Sequence, residues 1–270
     1  MPFEVSSMQV ALGLLAGGTI FLGLPVALVP GIRGRTSAFL NSVSTGILVY
    51  LLCEIVSDAT HEGVQELLAQ SVSNPELRNL GLYYAAVFVA GLSIGLLGLV
   101  WFENRFIRHG KDEEQPPKKS AEKVAMMIAV GIGLHNFSEG LAIGQQYSWG
   151  ASGLAVFLAI GFGLHNATEG FGICGPLSGA GIVPSWRLLG LLGLIGGAPT
   201  FFGTVVGQAW TSDAVSVVFL TIAGGSILFV VQELFAVNRR YGHPVLVTWL
   251  MVLGIVAGFA TDFVVSAAGV

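Results

Sequence analysis

Residues 131–140 read GIGLHNFSEG, and residues 161–170 read GFGLHNATEG. Seven of the ten positions are identical, and Ser138 in the first copy stands where Thr168 stands in the second. On an α-helix, residues three and four positions apart share a face. His135 and Asn136 therefore stand over Glu139, and His165 and Asn166 over Glu169. Each copy offers an imidazole, an amide oxygen and a carboxylate in one cluster. Glycines flank both clusters: Gly131, Gly133, Gly140 and Gly144 in the first, Gly161, Gly163, Gly170 and Gly172 in the second. Small residues let helix backbones approach closely in lipid, and we expect them to bring the two clusters within bridging distance.

Both copies lie inside long apolar runs. The 270-residue chain is 53% apolar and 10% charged, with 38 glycines, whereas a soluble domain carries about 25% charged residues. That balance excludes a water-soluble enzyme, a nucleic-acid-binding protein and a disordered chain. A helix needs about 20 largely apolar residues to cross a bilayer. Eight such stretches occur, at about 8–30, 36–57, 80–102, 122–146, 151–174, 186–210, 214–236 and 245–268. The expected fold is an all-α integral membrane protein with eight transmembrane helices, one transmembrane domain over residues 1–270. We expect the first stretch to be a retained span, because Met1–Val10 carries Glu4 and no Lys or Arg, and a signal peptide starts with cations. Cys53 and Cys174 sit in apolar runs and suggest no disulfide framework.

Cations set the orientation, because Lys and Arg near span ends stay cytoplasmic. Arg33 and Arg35 follow span 1; Arg105, Arg108, Lys111, Lys118, Lys119 and Lys123 follow span 3; Arg187 follows span 5; Arg239 and Arg240 follow span 7. Eleven of the twelve cations thus share one face, and only Arg78 falls on the other. Both termini are then extracytoplasmic in a multi-pass plasma (inner) membrane protein. Residues 103–123, with a Pro-Pro pair at Pro116 and Pro117, form the expected cytoplasmic loop. A minority reading gives His109, Asp112, Glu113 and Glu114 of that loop a metal-sensing role. Spans 4 and 5 cross in opposite directions, so the repeated motif marks an inverted repeat about an axis in the membrane plane, with the binding site at the repeat interface.

Nitrogen and oxygen donors of this kind suit a borderline divalent ion, Zn2+ first, with Fe2+, Mn2+ or Co2+ also possible. An ionised carboxylate near the bilayer centre costs about 2.5 to 3.5 kcal/mol on the lenient insertion scale. Helix association alone is reached more cheaply with Ser or Gln, and a bound cation offsets the charge. A second, fainter pair is Glu54 in GILVYLLCEI and Gln232 with Glu233 in GSILFVVQEL. Glu54 falls towards the outer end of its span and Glu233 towards the inner end of its own, so they read as stations before and after the central site. Asp58, His61 and Glu62 extend the line outward as a collecting mouth, or form an ordinary solvated loop. Asp262, His243 and Cys53 read as packing or capping groups.

Other functions lack their motifs. No G-x-x-x-x-G-K-[ST] occurs, so no nucleotide partner is expected. His61-Glu62 continues as Gly63-Val64-Gln65, without the second His of a zinc protease. A membrane di-metal oxidoreductase, the alternative from another class, would use Glu-x-x-His pairs, which are missing here.

Eight spans, termini outside, a polar loop after span 3, and H-N-x-x-E-G in span 4 followed by a second copy in span 5 resemble the ZIP (Zrt/Irt-like) family of divalent metal transporters, bacterial-type. The resemblance implies a 3+2+3 helical arrangement with an inverted repeat, metal uptake into the cytoplasm, and a possible homodimer. It implies Zn2+ as the transported substrate, with Fe2+, Mn2+ or Cd2+ in some members. Carried over by motif, His135, Asn136, Glu139, His165, Asn166 and Glu169 match the intramembrane ligands of a binuclear site. The family commonly has Pro where this chain has Ser138, and a Glu before the Pro of span 6 where this chain has Ala198. Two central carboxylates balance one divalent ion, so one tightly held metal is expected. The expected mechanism is alternating access, a unit holding spans 4 and 5 moving against the rest; a metal-selective channel is the alternative. Two charges crossing towards a negative interior gain about 4.6 kcal/mol per 100 mV, enough to accumulate metal without ATP.

Overall fold

The computed structural model describes residues 6–29, 35–60, 69–70, 75–107, 117–209 and 213–267. Among these, eight helical segments are long and apolar enough to cross a membrane, and no strand is present. We number them α1 (Ser7–Leu28), α2 (Arg35–Thr60), α3 (Pro75–Phe102), α4 (Pro117–Ser148), α5 (Ser152–Gly179), α6 (Trp186–Ala209), α7 (Asp213–Arg239) and α8 (Pro244–Ala267). Their ends follow local chemistry. Ser6 caps α1 in a reciprocal capping box with Gln9, and α3, α4 and α8 begin on a proline, whose fixed φ suits a first helical position. Gly150 and Gly181, at φ of 82° and 70°, make the reversals after α4 and α5.

The expected loop 103–123 is shorter than its charge suggested. Glu103–Ile107 continues α3 as a π-turn, and α4 begins at Pro117, so Lys118, Lys119 and Lys123 ride on the first turns of a helix. Pro117 starts that helix where a proline in mid-helix would have ended it. His61, Glu62, His109, Asp112, Glu113 and Glu114 lie outside the described residues, as do the side chains of Asp58 and Asp262.

The helices form two sets. One contains α1, α4, α5 and α6; the other contains α2, α3, α7 and α8. Within each set, backbones meet through glycine. Gly23 of α1 lies on Gly170 of α5, and Gly203 of α6 lies on Gly140 of α4. Gly46 of α2 lies on Gly254 of α8, and Gly225 of α7 lies on Gly95 of α3. Each pair is repeated by the next at equivalent places in the two halves, and Gly17 of α1 meets Gly197 of α6 where the halves join. This is the inverted repeat expressed in packing. The two helices nearest the axis differ at equivalent points: α1 breaks at Thr19, whereas α6 carries Pro199 in the interior of a continuous helix.

The glycine expectation therefore needs correcting. The motif glycines do not draw α4 and α5 onto each other. Gly133, Gly140 and Gly144 receive the backbone of α6, and Gly163 and Gly170 receive α1. A methyl group at Gly140 would overlap the Thr200 carbonyl, and one at Gly170 would lie 2.9 Å from the Gly23 Cα. Between the two sets, by contrast, these glycines meet side chains: Gly131 meets Val230, Gly172 meets Ser44 and Gly175 meets Asn41.

Candidate metal centre

All six motif side chains are buried, and contacts join five of them, His135, Asn136, Glu139, His165 and Glu169, into one cluster. Helical register does the local work, placing His135 Nε2 2.9 Å from Glu139 Oε1 one turn on. The α4–α5 crossing does the rest. His165 Nε2 from α5 reaches the same Glu139 oxygen at 2.5 Å, and His135 Nε2 stands 4.0 Å from Glu169 Oε1. His135, Glu139 and His165 offer three ligand atoms all within 4.8 Å of one another. Asn136 Nδ2 donates to Glu169 Oε2 at 3.1 Å, which ties the fourth donor to the same cluster.

The two asparagines are held by equivalent bonds. Asn136 Nδ2 donates to the Gly196 carbonyl in α6 at 3.0 Å, and Asn166 Nδ2 donates to the Ala16 carbonyl in α1 at 3.1 Å. A carbonyl accepts only, so these bonds fix which end of each amide points away. The Oδ1 atoms of Asn136 and Asn166 are buried with no hydrogen-bond partner, as are Glu139 Oε2 and Glu169 Oε1. Unpaired buried acceptors are costly. Four on two facing helices, beside two imidazoles, form a donor set that a divalent cation satisfies.

Ser138 and Thr168, where the resemblance leads one to expect proline, leave both helices unbroken. Their hydroxyls donate back to the His135 and His165 carbonyls at 2.7 Å, a local bond that bends a helix only slightly. Ala198, half-buried in α6, supplies no polar side chain to the centre.

A cavity of about 190 Å³ runs between α2, α5 and α8, walled by Tyr50, Glu54, Leu158, Phe162, His165 and Thr261 among others. Glu54 is thus in line with the cluster. Glu233 occupies the equivalent place in α7 and is half-buried, whereas Gln232 is exposed on the helix surface. The equivalent space between α7, α4 and α3 is filled: Val230, Leu99, Ile128 and Ile132 are buried there, and Gly131 packs on Val230. Of the groups read as packing or capping, Cys53 and His243 are exposed. The other cysteine, Cys174, is buried with Sγ 3.4 Å from the Leu24 carbonyl.

Residues 103–266 match the family model described as ZIP zinc transporter. The chain belongs to the ZIP family. Among curated proteins, none matches the chain. The matched stretch contains both copies of the motif and α4 through nearly all of α8, and the family's members are transporters of divalent metals rather than enzymes. The chain is accordingly a multi-pass membrane protein of a metal-transporting family. The ZIP match leaves α1, α2 and α3 outside, yet their glycine contacts mirror those of the matched half, so the symmetry extends through these helices. Two positions escaped the sequence reading: the carbonyls of Ala16 and Gly196, which orient the asparagines. A backbone acceptor leaves no signature in side-chain identity.

Proposed function

We propose that this chain takes up a divalent metal ion, Zn2+ first, into the cytoplasm by alternating access through His135, Asn136, Glu139, His165, Asn166 and Glu169. The observation that carries this reading is the Glu139 carboxylate, one oxygen of which is approached by imidazoles from two helices while its other oxygen and both motif amide oxygens are buried and unpaired. Fe2+, Mn2+ and Cd2+ are competing substrates for the same donors. With Ala198 supplying no carboxylate, the two glutamates hold one ion.

The set α1, α4, α5 and α6 is the moving body of this proposal, a larger one than spans 4 and 5 alone, because glycine contacts fasten α4 to α6 and α5 to α1. The approach runs by Glu54 and the cavity beside His165; the exit lies on the side bearing most of the cations. The placement of that side in the cytoplasm of a plasma membrane rests on the charge distribution. The test is Zn2+ uptake into liposomes by the purified chain. Wild type accumulates the ion, and Glu139→Ala and His165→Ala do not; normal flux in either variant removes the assignment.

A further inference from the structure

The connection between α7 and α8 borders a space that the metal centre does not use. Asn238, at the end of α7, is buried and committed to α2: its Oδ1 accepts from Asn41 Nδ2 at 2.7 Å and from Ser42 Oγ at 3.1 Å, and its Nδ2 donates to Thr45 Oγ1 at 3.1 Å. Just beyond, the hydroxyls of Tyr241 and Ser37 meet at 2.9 Å. Gly46 of α2 in turn seats α8 at Gly254. Both helices thus grip α2 and scarcely touch each other. Gly242, at φ of 71°, turns the chain between them, and a crevice of about 380 Å³ is left open there.

The crevice is charged at one end and apolar at the other. Arg239 and His243 stand at its rim, while Phe235, Val247, Thr248 and Met251 line it roughly one to two helical turns deeper. The Thr248 hydroxyl is turned back to the Pro244 carbonyl at 2.9 Å, so the wall below the rim offers nothing polar to a ligand. Arg239, Arg240 and His243 are exposed, and among the described residues no carboxylate pairs with either arginine. The repeated packing does not call for these charges. Counted from the equivalent glycines Gly46 and Gly225, Arg239 and Arg240 stand where the other half has Thr60 and His61.

We propose that this crevice seats one anionic phospholipid, its phosphate on Arg239 and His243 and an acyl chain along Phe235, Val247 and Met251. A cationic rim over an apolar channel matches a lipid in both parts, and basic pockets between transmembrane helices attract anionic headgroups in this way. A free phosphate would satisfy the rim and leave the apolar walls bare. The leaflet is the one on the arginine side, cytoplasmic by the distribution of cations. The seated lipid bridges α7 and α8, which hold α2 but not each other. This site lies apart from the metal path and does not depend on it.

The test uses the full chain in detergent, with phosphatidylglycerol and phosphatidylcholine added in equal amounts and the retained lipid counted by native mass spectrometry. Wild type should retain phosphatidylglycerol in preference. Arg239→Gln should lower that retention by roughly fivefold, the contribution of one arginine at a membrane surface, and leave phosphatidylcholine unchanged. Thr248→Phe, which puts a ring into the crevice, should lower retention of both lipids. Arg187→Gln is the comparison, because Arg187 is exposed and lines no part of the crevice, and it should change neither. Equal losses in Arg239→Gln and Arg187→Gln would mean attraction to the surface at large and overturn the proposal, as would wild-type retention in both Arg239→Gln and Thr248→Phe. Inorganic phosphate raising the melting temperature as much as phosphatidylglycerol does would assign the rim to a free anion. A change in dimer fraction with lipid retention unaltered would assign the crevice to a second copy of the chain. Either result overturns the lipid seat.

Discussion

The backbone of Gly170 rests directly on that of Gly23, so close that a methyl group added to either residue would lie only 2.9 Å from the other's Cα. The same contact recurs between Gly140 and Gly203, and through each of them a motif helix is fastened to a neighbour that anchors its asparagine. The Gly-after-Glu of the repeated motif is thus a packing requirement that positions the asparagine one turn away.

Gly170→Val and Gly140→Val should therefore each destabilise the folded protein by about 1–3 kcal/mol, the range for overpacking a close contact. Thermal unfolding in detergent measures it. Gly98→Ala is the comparison, since a methyl there meets nothing within 4 Å. Equal melting of all three variants would show that the backbone contacts do not matter to stability.

The eight spans and the clustering of the repeated His and Glu side chains were legible because hydrophobicity in a bilayer and helical periodicity are both local properties of sequence. So was the pairing of Glu54 with Glu233, which the equivalent contacts of Gly46 and Gly225 now place in matching positions. What stayed hidden was which helix each glycine faces. A glycine declares that something approaches closely but carries no atom that names the partner, and so Gly133 and Gly140 read as α5-facing when they face α6. The start of α4 was misplaced because lysines and prolines read as loop, although Pro117 and the lysines after it are compatible with an exposed first turn.

Asn136 and Asn166 are alike in their backbone anchors but unlike in one bond. Asn136 also donates to Glu169 Oε2, at 3.1 Å, whereas Asn166 bonds only the Ala16 carbonyl. Asn136→Asp places a carboxylate against both Glu169 and the Gly196 carbonyl; Asn166→Asp opposes a carbonyl alone. The first should lower stability more than the second, by about 1–3 kcal/mol. Added Zn2+ should recover more of the loss in Asn136→Asp, because a cation screens the two adjoining acids. Melting curves of both variants with and without Zn2+ test this, and equal shifts would place Asn136 away from the ion.

A metal approaching by Glu54 must pass the cavity between α2, α5 and α8, and the two halves differ there in side-chain bulk. Thr261 stands on the cavity wall, while its counterpart in α3, counted from the paired glycines Gly254 and Gly95, is Phe102, which packs against the core. The half with the phenylalanine is closed, and the half with the threonine is open. Thr261→Phe should fill much of the 190 Å³ space and slow Zn2+ uptake, with no loss of stability, since a ring entering an existing cavity buries apolar surface instead of displacing neighbours. Initial uptake rates set against melting temperature separate the two effects. Slow uptake at an unchanged or raised Tm is the expected result, and wild-type uptake in a folded Thr261→Phe protein would move the approach path away from this cavity.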